Sequence, residues 1–252
     1  MISATNTQGR EAYRERLYRR YLSDLHGVDS VDVHVRLQGA APYFKRLVKL
    51  IPKDKDTRVL DLGCGFATWL YWLKKSGYQR LEGVDRSPQQ VQTAHDLGLD
   101  LVEQGDIMDF LADRRPASCD VVLAFDILEH FGKDEAFEFV DEVFRVLAPG
   151  GVFILHLPNG EGFLSGCVAH GDFTHELILN SGSLGQLLRC AGFAGVRSFE
   201  DTPVVHGLAS FVRYLIWKVS RFALRLVYAA QTGDTGADRI FTPNFLAIAR
   251  KP

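Results

Sequence analysis

The stretch VLDLGCGFAT (residues 59–68) constrains this chain more than any other part of it. An apolar run ends in an acid, Asp61, and the glycines of Gly63-x-Gly65 lead into a helical pattern, ATWLYWLKKSG, which Gly77 stops. Glycines at a strand-to-helix junction let the backbone pass close to a ligand, and the first helical turn offers N–H groups without a partner inside the helix. The same rhythm continues downstream. LEGVD (81–85) reads as a second strand, and SPQQVQTAHDLG as a helix with Ser87 as N-cap and Pro88 at its first position. LDLVEQGD (99–106) and CDVVLAFD (119–126) give strands three and four, the fourth apolar enough to be covered on both faces. DEAFEFVDEVFRVLAPGG is an amphipathic helix ended by Pro149-Gly150-Gly151, and VFILHLP (152–158) is strand five. Alternation at this spacing predicts an α/β, mostly parallel sheet with helices on both faces.

Outside that core the texture changes. Residues 10–25 are polar and weakly helical, and 42–51 (PYFKRLVKLI) has helical apolar spacing, so residues 1–41 read as an N-terminal cap and 42–252 as the main domain. Residues 159–182 are Gly-rich and irregular; SLGQLLRCAGF is a helix, and VRSFE (196–200) and FLAIARK (245–251) are late strands. Between these two strands, about 203–235 forms a helical insertion, with apolar residues at helical spacing over 207–230.

The Gly63-x-Gly65 junction alone fits either a dinucleotide or another adenosyl ligand. Three features narrow it. The third glycine of a dinucleotide fingerprint is replaced by Thr68, so the close cradle for a pyrophosphate is incomplete. Asp85 ends the second strand 22 residues after Gly63, within reach of both hydroxyls of a ribose. Gly105-Asp106 ends the third strand and places another carboxylate on the rim where open α/β sheets bind ligands.

LDLGCGFAT, GVDRS, GDI and VLAPGGVFILHLPN, in that order and spacing, closely resemble the motif set of the class I S-adenosylmethionine-dependent methyltransferases, over about residues 42–200. The resemblance implies a Rossmann-like seven-stranded sheet, mostly parallel with an antiparallel last strand, and S-adenosyl-L-methionine as cofactor. It also implies roles: Asp61, Gly63, Cys64 and Gly65 near the methionyl moiety, Asp85 on the ribose, Asp106 on the adenine amine with Ile107 beside the ring. Arg86 would flank the adenine, and Phe125 with Asp126 would lie beneath the cofactor. The plainer alternative for each acid is a helix N-cap or a surface residue.

Methyl transfer needs in-line alignment and, for a hydroxyl acceptor, a proton acceptor. FDILEHF (125–131), which resembles the family's Glu-His stretch after the fourth strand, offers Glu129 and His130. HGDFTHE (170–176) offers His170, Asp172 and His175. His130, His175 and Asp172 are the candidate catalytic residues, although each histidine could equally be a packed, hydrogen-bonded one. A divalent metal on Asp172, His175 and Glu176 is the less favoured arrangement, and none is expected. The D-x-x-H segment leading to L-x-x-L-L-x-x-A-G-F resembles enzymes that O-methylate sugars and other small hydroxylated metabolites. That implies a sugar, sugar nucleotide or polysaccharide precursor as acceptor; N-methylation of a small metabolite is the alternative.

Residues 207–230 carry Arg213, Lys218, Arg221 and Arg225 and no acid. They could pack on the sheet or across a homodimer interface, wall an anionic acceptor, or lie on a membrane surface. Overall charge argues against non-specific nucleic-acid binding, with 29 Lys and Arg against 31 Asp and Glu. The four cysteines show no metal spacing and read as free, mostly buried thiols. The N-terminal residues lack the apolar core of a signal peptide, and no run approaches the ~18 apolar residues of a spanning helix, so a cytoplasmic location is expected. Two further readings compete with methyl transfer: a nicotinamide-dependent oxidoreductase and a non-catalytic, methyltransferase-like scaffold subunit.

Overall fold

The computed structural model describes residues 32–252, so the helix expected near residues 10–25 lies outside the described residues. Asp32 caps the first helix, α1 (Val33–Leu47), by accepting from the His34 N–H at 2.8 Å. The helix starts well before the stretch with helical apolar spacing and carries Pro42 in its interior. β1 (Val59–Leu62) feeds the glycine turn and α2 (Thr68–Lys75). There follow β2 (Leu81–Asp85), α3 (Pro88–Asp96), β3 (Val102–Gln104) and α4 (Ile107–Ala112). Ser87 caps α3 as its position before Pro88 predicts. β3 is shorter than its apolar pattern because Leu99 donates back to Ala94 and Val102 to Leu99, which uses residues 99–101 to close the end of α3.

β4 (Cys119–Phe125), a 3-10 turn at Leu128–His130 and α5 (Lys133–Val146) come next. β5 (Leu147–Pro158) opens earlier than expected because Leu147 already pairs with Cys119, an irregularity in register preceding the regular Val121–Val152 ladder. A single turn, α6 (Gly166–Ala169), then α7 (Ser181–Cys190), β6 (Ala194–Glu200), α8 (Leu208–Thr232) and β7 (Asn244–Arg250) complete the chain.

The seven strands run β3-β2-β1-β4-β5-β7-β6, with β7 antiparallel to both neighbours and the remainder parallel. Successive residues of a strand face opposite ways, so the sheet separates two cores. Val122, Ala124, Phe153 and Leu155 join the core under α5 and α7, while Val121, Leu123, Val152 and Ile154 join the one under α1, α2 and α3. Because β6 is parallel to β5, its carboxyl end lies on the same rim as those of β1 to β5. All four cysteines are free: Cys64 and Cys119 are buried, but Cys167 and Cys190 are exposed, so only half meet the expectation of buried thiols.

Candidate functional site at the carboxyl rim of the sheet

Three groups of side chains meet at this rim, delivered by the strand ends and the turns that follow them. The first is the glycine turn after β1. Gly63, Gly65 and Ala67 all take left-handed backbone conformations, so the turn coils tightly before α2 begins. A Cβ on Gly63 would sit 2.0 Å from Cδ1 of Ile127 and 3.6 Å from Cδ1 of Ile107, which seats both isoleucines against the turn. Asp85, at the end of β2, accepts from the Gly65 N–H at 2.7 Å and from the Ser87 N–H at 2.8 Å. Burial lifts the Asp85 carboxyl above its usual range, and these two N–H groups partly offset that. Asp61 is almost wholly buried, and one carboxylate oxygen, Oδ2, has no hydrogen-bond partner. Burial first, and then the Asp85 charge, holds its pKa well above that of an ordinary carboxyl.

An orphaned, buried acid beside a tight backbone turn fits a ligand that brings a positive group, and would oppose a pyrophosphate. Cys64 is turned away from this space. Its sulfur packs beside Gly83, where an added Cβ would approach it to 3.0 Å, and lies 3.7 Å from the Gly65 carbonyl. Asp106 caps α4 by accepting from the Met108 N–H at 2.8 Å, and a carboxylate retains acceptor capacity beyond that bond. Ile107 lies between this cap and the glycine turn, whereas Arg86 is exposed on the rim.

Of the second group, the sequence singles out Phe125 and Asp126 but not the partners they meet. Phe125 stacks on His156 of β5 with ring centroids 5.6 Å apart and lies 5.0 Å from Trp69. Tyr43 of α1 closes the cluster, 5.6 Å from Trp69 and 6.3 Å from His156. His156 Nδ1 lies 2.7 Å from the Asp126 carboxylate and Nε2 3.4 Å from that of Asp201, so an imidazolium donates to both. Burial opposes that charge, but Asp126 and then Asp201 prevail and raise the pKa to about 10. Asp126 itself has a left-handed backbone (φ 56°), unusual without glycine, which aims its side chain back at His156. His156 itself shows in the sequence only as a lone histidine inside an apolar strand. Tyr43, Trp69 and Asp201 come from elements that only the topology joins.

The third group contains the expected catalytic candidates, and the structure brings them together. The Glu129 carbonyl accepts from the Glu176 and Leu177 N–H groups at 2.8 and 3.0 Å, pinning the 170–177 loop to the turn after β4. The His130 and His175 rings then lie 4.9 Å apart. Asp172 Oδ1 accepts from both the N–H and the hydroxyl of Thr174, and the Thr174 hydroxyl sits 2.8 Å from His130 Nδ1. With its one proton given to Asp172, Thr174 can only accept from His130, which places the lone pair of neutral His130 on Nε2. His175 Nδ1 faces the Ala169 carbonyl at 3.0 Å and so donates to it, leaving the same tautomer. Burial, and then His175, lower the His130 pKa to about 4, so the ring is neutral at neutral pH. Glu129 is buried with both carboxylate oxygens unpartnered, and burial and Asp126 raise its pKa to about 8. His170, by contrast, is exposed.

Among the described residues, Glu129, His130 and His175 each offer a ligand atom within 4.8 Å of the others, a donor set able to hold a divalent cation. It differs from the Asp172, His175 and Glu176 combination suggested by sequence spacing.

Residues 60–155 match the model of a family described as methyltransferase domain. A probable S-adenosylmethionine-dependent methyltransferase of Mycolicibacterium smegmatis is 45% identical over 92 residues, 36% of this chain and 34% of that one. Ajmaline N-methyltransferase of Rauvolfia serpentina is 34% identical over 110 residues, covering 41% and 37% of the two chains. The ubiquinone biosynthesis O-methyltransferase of Idiomarina loihiensis is 35% identical over 121 residues, covering 44% and 47%. The chain thus spans about a third to a half of the length of the curated relatives it matches. A solved S-adenosylmethionine-dependent methyltransferase of Archaeoglobus fulgidus superposes with a TM-score of 0.64 over 93% of this chain and 99% of its own, at 20% identity. Residues 60–155 are thus similar to a methyltransferase domain, and the described chain shares the fold of a solved S-adenosylmethionine-dependent methyltransferase.

Proposed function

We propose that the protein transfers the methyl group of S-adenosyl-L-methionine to a hydroxyl of a small acceptor, such as a sugar, sugar nucleotide or polysaccharide precursor. The observation that carries the cofactor is the orphaned oxygen of Asp61 beside the glycine turn, with Asp85 across it. The cofactor's ammonium and sulfonium charges suit this acidic lining, whereas a dinucleotide's phosphates would add repulsion. Asp85 would take the ribose hydroxyls, Asp106 the adenine amine and Ile107 one face of the ring, with Arg86 at the outer edge. Phe125 would lie under the bound cofactor.

When bound, the sulfonium supplies an activated methyl: the acceptor oxygen bonds to its carbon as the carbon–sulfur bond breaks, its electron pair passing to sulfur. What remains for the chain is alignment and removal of the hydroxyl proton. His130 or His175 accepts that proton at Nε2, and Asp172 acts through Thr174 to hold the His130 tautomer. This linked set favours a hydroxyl over an amine, since a neutral amine attacks without prior deprotonation.

The test is kinetic. His130→Asn and His175→Asn, assayed at saturating cofactor across pH, should each keep cofactor affinity, and the variant lacking the base should lose about 100-fold or more in kcat. A loss below tenfold in both would move the reading to N-methylation.

The position of unpartnered, buried Glu129 within 4.8 Å of both histidines favours a second reading, in which a divalent cation there acidifies the hydroxyl. Activity that survives exhaustive chelation supports the histidine base. Activity lost on chelation and restored by Mn²⁺ or Zn²⁺ supports the cation.

A further inference from the structure

An amphipathic helix of a soluble domain ordinarily turns its apolar face inward. α8 does the reverse. Ser210, its one buried residue, shares a face with half-buried Tyr214, Trp217, Arg221 and Tyr228, and that face meets the fold. Arg221 pairs with Glu200 at 2.8 Å, and the Tyr228 ring lies 6.4 Å from that of Phe241. The opposite face carries Leu208, Leu215, Ile216, Val219, Phe222 and Leu226, between 47% and 80% exposed. At 100° per residue, these and their apolar neighbours cover an arc of about 160°. Exposed Arg213 borders this arc on one side and exposed Lys218 on the other, while half-buried Arg225, beyond Lys218, donates from Nε to the Thr235 carbonyl at 3.1 Å. No Asp or Glu occurs in the 25 residues of the helix.

We infer that α8 is an interfacial helix that seats the protein on an anionic lipid surface, lying in the membrane plane with its apolar arc among the acyl chains. Cations on both borders of an apolar arc are placed to reach lipid phosphates while their stems stay in the apolar layer. A spanning role does not fit: no helix among the described residues is long and apolar enough to cross a membrane. Self-association through this arc fits less well than lipid. Two copies of α8 packed face to face would line the edges of their contact with Arg213 and Lys218 from each, and the helix has no carboxylate to meet them. Lipid phosphates supply that missing charge. The inference stands apart from the methyl-transfer reading and does not need it.

The test is flotation of the full chain with vesicles of phosphatidylcholine alone or with about a third phosphatidylglycerol. The protein should float with the anionic vesicles and at least tenfold less with the neutral ones. Arg213→Gln and Lys218→Gln should each weaken binding about fivefold, the effect of roughly one basic residue at an anionic surface. Val219→Glu with Phe222→Glu, both at exposed positions, should abolish flotation while leaving the melting temperature unchanged. Failure of the parent chain to float with anionic vesicles would overturn the inference. So would a dimer, measured by light scattering, that the Val219→Glu/Phe222→Glu chain loses while neither chain binds vesicles.

Discussion

Asp85 accepts one backbone N–H on each carboxylate oxygen, yet a carboxylate has about four acceptor positions, so room remains for two hydroxyls. Removing it would delete the two charge-assisted bonds proposed to the ribose as well as the tie to Gly65. Asp85→Ala should weaken S-adenosyl-L-methionine binding by about 2–4 kcal/mol, measured by calorimetry on protein whose folding has been checked separately. Unchanged affinity in a folded variant would remove the ribose role. Asp85, Asp61 and the glycines were legible in the sequence because one short segment and one strand end carry them. The Asp126–His156–Asp201 arrangement was not, because its members lie on three separated segments and a lone histidine in an apolar strand announces nothing. Asp106 meets its plainer reading as the N-cap of α4, and the adenine amine is the role proposed for its remaining acceptor positions.

At the level of elements, the glycine turn sets the tightest requirement. An alanine at 63 would carry a left-handed backbone, at a cost of about 1–2 kcal/mol, and its Cβ would displace Ile127. Gly63→Ala should therefore lower both the melting temperature and cofactor affinity. Adding Ile127→Ala should relieve the contact but not the backbone cost, so stability should stay below that of the Ile127→Ala chain; equality of the two would show that the turn is not strained. Between 57 and 158 the strands and most helices were readable because alternation and caps agree there, whereas the short α4 went unread and the Pro149-Gly150-Gly151 turn lies inside β5 instead of ending α5. α8 was readable as a helix but not in its orientation. Periodicity reports which residues share a face, whereas which face meets the protein depends on neighbours such as Glu200 and Phe241 that arrive from elsewhere.

For the molecule as a whole, His156 couples the two halves of the sheet rim to pH. Its pKa is about 10 in the fold against an ordinary 6.5, so its contribution to stability is complete below about pH 6.5 and is lost as the pH rises through 10. His156→Asn should accordingly be less stable than the parent at pH 6.5, the gap closing towards pH 10, as read by melting temperatures across that range. A constant gap would mean that the charge on His156 does not contribute. The strand order has a further consequence, in time rather than in energy. Among the described residues β6 pairs in the sheet with β7 alone, and β7 follows it only after all of α8. As the chain leaves the ribosome, β1 to β5 can assemble from their own sequence, while the outer edge of β5 stays bare until some 90 further residues have been made. Pulse-labelled hydrogen exchange during refolding should find amides of β1 and β4 protected first and those of β6 and β7 together and last. Any chaperone that attends this protein at birth would meet it with that apolar edge open.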